Sequence, residues 1–110
     1  MKLSQFYNLA VKFAKDCDVR KKSAIKEYAD TSILNGRPDT EVKKILVGID
    51  IEVAELLLAD RIRAQEGLDL VIAHHPEGKA YARLHEVMQV QVDILRQAGV
   101  KEAVAKQLLG

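Results

Sequence analysis

Two short apolar runs with one helix-length segment between them constrain the fold of this chain more than any other feature. The first lies within Val42 to Asp50, where Ile45, Leu46 and Val47 follow the charged pair Lys43 and Lys44 and the run closes near Asp50. The second is Leu70-Val71-Ile72-Ala73, which breaks into His74-His75 and is stopped by Pro76. Apolar runs of this length bounded by turn formers read as buried strands, the first expected to be buried through Val47. Between them, Glu52 to Glu66 reads as a helix, with Val53, Leu56, Leu57, Ala59 and Ala64 expected to face a sheet and Gly67 placed to end it. Strand, helix and strand joined by short connections imply two parallel strands and a right-handed crossover.

The flanks are helical by their spacing. Leu3, Phe6, Tyr7, Ala10, Val11 and Ala14 recur at helical intervals, with Ser4 or a neighbour as the cap. From Asp16 to Lys26 charge dominates, which predicts a solvated turn or an exposed helix face rather than an anion-binding patch. Asp30 to Asp39 is rich in turn formers and reads as a loop. Lys79 to Gln97 reads as one helix, with Tyr81, Leu84, Met88 and Leu95 along a stripe, Val87 and Ile94 beside it, and Gly99 as its stop. Lys101 to Leu109 is a short amphipathic piece. No third strand follows, and two parallel strands leave both edges open. The expected class is therefore α/β: a βαβ unit with parallel strands flanked by helices, in a single domain over residues 1–110. That unit is expected to belong to a larger three-layer αβα fold, as the N-terminal portion of a longer protein or completed by strands from an oligomeric partner.

Composition narrows the class of function. With 17 basic and 16 acidic residues the net charge is +1, so no overall field draws the chain to nucleic acid or an anionic membrane. No tryptophan and only five Phe and Tyr residues leave little surface for stacking bases. The start of the chain lacks the apolar core of a secretory signal, and no apolar stretch is long enough to span a bilayer. One cysteine excludes an internal disulfide. A soluble cytoplasmic protein is the expectation, with Cys17 a small buried core residue.

Two of the three histidines stand together at the end of the second strand. Open α/β sheets place ligands at the carboxyl ends of their strands, and neutral imidazole is the commonest protein ligand for zinc and suits other transition metals. Consecutive residues of a strand face opposite ways, so both rings serve one site only if the chain departs from the strand there, as Pro76 would make it do. A closely spaced pair of metals fits this better than one ion. The alternative is that His74 caps the strand by hydrogen bonding while His75 is simply exposed. Carboxylate candidates are Asp50, at the end of the neighbouring strand, and Glu77; Asp50 could equally cap the helix that starts near Val53. His85 reads as a surface or packing residue. No His-Glu-x-x-His helix, nucleophilic cysteine pair or glycine-rich phosphate loop is present.

Asp39 to Asp50 followed by a helix and then Gly67 to Pro76 resembles the GTP cyclohydrolase I type 2 homologue family, dinuclear-metal hexamers also described as interacting factors of a yeast transcriptional adaptor. The resemblance runs from about Lys2 to Pro76, and the strand-His-His-Pro portion is its specific part. It implies that His74 and His75 each bind one of two divalent metal ions, zinc, iron or another transition metal, in a homo-oligomer acting on a small-molecule substrate. The family's downstream aspartate and late His-x-x-x-Glu pair have no counterparts here; Asp93 sits mid-helix, and Glu77-Gly78-Lys79 is polar where the family is apolar. The chain thus carries about half of such a ligand set. Two functions follow as expectations: a divalent-metal protein with hydrolase-like chemistry, or a non-enzymatic interaction and assembly module using the strand edges and the stripe of Tyr81, Leu84 and Met88.

Overall fold

A computed structural model describes residues 1–18, 28–75 and 77–109. In chain order the elements are α1 (Leu3–Cys17), β1 (Ile45–Gly48), α2 (Val53–Glu66), β2 (Leu70–Ala73), α3 (Gly78–Ala82), α4 (Leu84–Gln97) and α5 (Glu102–Leu109). The strands form a two-stranded parallel sheet in which Ile45 lies opposite Leu70 and Gly48 opposite Ala73. The architecture is a small α/β unit, two parallel strands flanked by helices. The expected segment from 16 to 26 is helical through Cys17; its positions from 19 onward lie outside the described residues, as does Pro76.

Local chemistry explains most of the boundaries. The Gln5 side chain, not Ser4, satisfies the start of α1, accepting from the Lys2 N–H at 2.9 Å. Ser4 lies inside the helix. At the start of α2 the Glu55 carboxylate accepts from the Glu52 N–H at 3.0 Å, the reciprocal half of a capping box. At its end Gly67 takes φ +75°, and Lys44 at the entry to β1 donates its ammonium to the Glu66 carbonyl. Lysine at a helix C-terminus meets the unpaired carbonyls and the negative end of the dipole. The N-terminal residues are tied to the chain just before β1: Leu3 N–H donates to Thr40 O at 2.8 Å and Val42 N–H to Met1 O at 2.7 Å, and the side chains of Leu3 and Val42 are buried.

Several expectations of packing are corrected. Val47 is 66% exposed, because the faces of a sheet are covered by helices and, among the described residues, no helix packs extensively on either strand. Of the α2 residues expected to face the sheet, Ala59 is buried, with Glu55 and Ile62 half-buried beside it, whereas Val53, Leu56, Leu57 and Ala64 are exposed. Leu56-Leu57-Leu58 spreads apolar surface around the helix, so periodicity does not select a face. The single helix read over Lys79 to Gln97 is two helices. Arg83 leaves the helical conformation at ψ 9°, and its guanidinium forks onto Glu86 in the next first turn at 2.8 Å through both nitrogens. In α4 the buried residue is Val92, while Tyr81 and Met88 of the expected stripe are exposed. Cys17 is exposed rather than buried.

Packing concentrates in three places: between the strands, between α3 and α4, and in the α4–α5 hairpin, where Val92 and Ala105 are buried. The radius of gyration is 16.9 Å over extents of 54 × 27 × 19 Å, against about 13 Å for a compact chain of this length. No helix among the described residues is long and apolar enough to cross a membrane.

Candidate metal site at the strand ends

The two strands deliver the histidines. Beyond the last ladder residues, Gly48 and Ala73, His74 N–H continues the parallel pattern by donating to Gly48 O, while His75 N–H, out of the alternation because the chain leaves the strand here, donates to Ile49 O, each at 2.9 Å. Both imidazoles are therefore carried on backbone fixed to the neighbouring strand, at the carboxyl end of the sheet. Their rings stand 5.3 Å apart, centroid to centroid, edge to face at 65°. Both residues are exposed.

Asp50, from the turn after β1, reaches this point. Its Oδ1 lies 2.6 Å from His75 Nδ1, the side chains retaining 62% and 55% of their exposure. An exposed pair of this kind adds little to stability, since water screens it. Its effect is on the orientation of the ring. Asp50 is free for this because the α2 N-terminus is served by Glu52 and Glu55; the alternative role of Asp50 as that helix's cap is not realised. Gly48 makes the turn tight: a Cβ there would sit 2.6 Å from Ile51 Cδ1 and 3.3 Å from Asp50 O.

Glu77 makes no hydrogen bond or ion pair with either histidine among the described residues and stands at the N-terminus of α3. His85 is exposed in the first turn of α4, as expected of a surface residue. Asp93 accepts from Gln89 in the same helix at 3.1 Å. Among the described residues no three His, Cys, Asp or Glu side chains gather as a group able to hold a metal ion. The donor set is thus two imidazoles, with a carboxylate directed at one of them. It suits a transition metal in kind and falls short of the three or four protein ligands of a closed or catalytic zinc site in number.

One residue that aligns the two strands, at the end opposite the histidines, escaped sequence reasoning. Asp69 Oδ2 accepts from the N–H groups of Lys43 and Lys44 at 2.8 and 2.9 Å, holding the entry of β1 against β2. These two backbone bonds, Lys44 first, keep its carboxyl below the usual carboxylate range. An aspartate immediately before an apolar run was the available signal. Comparisons with known protein families, with curated proteins and with solved structures find no match to this chain.

Proposed function

We propose that this chain is a divalent-metal-binding protein of the GTP cyclohydrolase I type 2 homologue kind, with His74 and His75 as ligands and hydrolase-like chemistry as its activity. The observation that carries the reading is the pair of imidazoles at the carboxyl ends of parallel strands, 5.3 Å apart and on backbone pinned to β1. Preorganised ligands lose little freedom on binding. When bound, such metals supply Lewis-acid polarisation and a nucleophile at neutral pH. The protein's own part is to hold the rings at the sheet edge with their faces open to a small-molecule substrate.

The test is equilibrium dialysis of the purified chain against zinc or cobalt, followed by elemental analysis. His74→Ala/His75→Ala is expected to lose the bound metal, and His85→Ala to keep it. Equal metal in the double variant and the parent would overturn the assignment.

A second reading, an assembly module, is favoured by a separate observation. A compact chain of 12.3 kDa exposes about 6,100 Å², whereas this one exposes 8432 Å². Val53, Leu56, Leu57 and Leu58 on α2, with Val47 on β1, supply exposed apolar surface. The near-zero net charge raises no overall electrostatic barrier to a second copy. Metal binding and self-assembly are compatible.

A further inference from the structure

We propose that Asp50 is a positioning residue for the histidine site: it holds His75 in the tautomer protonated at Nδ1, so that Nε2 is the nitrogen offered to a divalent metal. The inference rests on the metal reading above and adds a residue and a mechanism to it.

A carboxylate only accepts hydrogen bonds, so the 2.6 Å contact between Asp50 Oδ1 and His75 Nδ1 places the proton on Nδ1. The hydrogen bond made by one ring nitrogen decides the state of the other, and a neutral ring held this way keeps the Nε2 lone pair free. The carboxylate also fixes the plane of the imidazole, which is how outer partners orient metal-binding histidines. Both ends of the contact are restrained by backbone. His75 is tied through its N–H to Ile49 O, and Asp50 follows Ile49 directly in a turn that the missing side chain of Gly48 keeps tight. The arrangement is asymmetric, since the ring of His74 has no hydrogen-bond partner among the described residues. Asp50 is thereby assigned to the ring rather than to the metal; a ligand role would require it to release Nδ1.

The tautomer is read directly by two-bond proton–nitrogen spectra of the ¹⁵N-labelled chain at neutral pH, with the His75 signals assigned by comparison with His74→Gln and His85→Gln. In its neutral form the His75 ring of the wild-type chain is expected to carry its proton on Nδ1, and Asp50→Ala to shift the proton toward Nε2. Zinc affinity is expected to fall about 10- to 100-fold in Asp50→Ala. Asp50→Asn keeps an accepting oxygen, so it is expected to retain the Nδ1–H tautomer and lose less affinity. If the alanine variant fails to fold, the tautomer of the wild-type His75 ring itself carries the test. A neutral His75 ring that carries its proton on Nε2 in the wild-type chain would overturn the proposal. So would a tautomer and affinity unchanged in both variants. If the wild-type chain takes up no zinc, the metal reading itself falls; zinc uptake that both variants share equally removes the role of Asp50 and leaves the metal reading standing.

Discussion

Asp69 fixes the register of the two strands from outside them. Its side chain receives the N–H groups of Lys43 and Lys44, while its own N–H donates to Lys44 O at 3.0 Å, so Ile45 is delivered opposite Leu70. Because these bonds favour the ionised form, the folded carboxyl titrates below its ordinary value. A group whose pKa is depressed on folding contributes stability above its unfolded pKa, about 3.9, and loses that contribution as pH falls through the folded value. Asp69→Asn is therefore expected to be less stable than the parent at pH 7, with the gap narrowing in acid. Urea midpoints measured at pH 7 and near pH 3 check this; a gap that is constant or widens toward acid would contradict it. His74 and His75 were legible in the sequence as a pair, because adjacent imidazoles at the end of an apolar run have few structural duties. Asp50 was legible as a nearby carboxylate, but its attachment to the His75 ring was not. That depends on the turn at Gly48 and on Glu52 and Glu55 serving the helix start instead.

At the scale of elements, the α4–α5 hairpin is the best-built part of the chain outside the sheet. Gly99 takes φ +91°, and the Val100 N–H reaches back to Leu95 O at 2.9 Å, the long bond of a Schellman turn. A Cβ at Gly99 would meet nothing within 4 Å, so the cost of Gly99→Ala is purely that of a left-handed backbone, about 1–2 kcal/mol. Denaturant unfolding should show that loss, and an unchanged midpoint would mean the turn can adopt another form. Gly67 and Gly99 were both readable as helix stops, since glycine alone enters that region freely. The break at Arg83 was not readable. Arg83 and Glu86 each suit a helix interior, and only the ψ of 9° and the fork onto Glu86 show that one helix ends there and another begins. The face of α2 was unreadable for a different reason. Three consecutive leucines satisfy any face, and burial of Ala59 is decided by what the helix packs on.

For the whole molecule, the parallel pair of strands is the correct core of the reading, and what surrounds it is unusually open. Two-stranded sheets gain stability by being covered, yet Val47 and the leucines of α2 remain exposed. If a second copy covers that face, sedimentation equilibrium should show an oligomer. Leu57→Glu, at a position 68% exposed, should then shift the chain toward monomer without loss of helix content by circular dichroism. A parent that is monomeric at every concentration would contradict assembly through α2. The histidine pair lies at the strand ends, so metal binding by the Leu57→Glu variant separates ligands supplied within one chain from ligands that require the oligomer.

The claim that His74 and His75 hold a divalent metal is tested most directly by X-ray absorption at the zinc edge of the loaded chain. The expected spectrum shows nitrogen at about 2.0–2.1 Å with the outer-shell scattering of imidazole rings, and both features disappear from His74→Ala/His75→Ala. A zinc coordinated only by oxygen, or an imidazole signal that survives in the double variant, would contradict it.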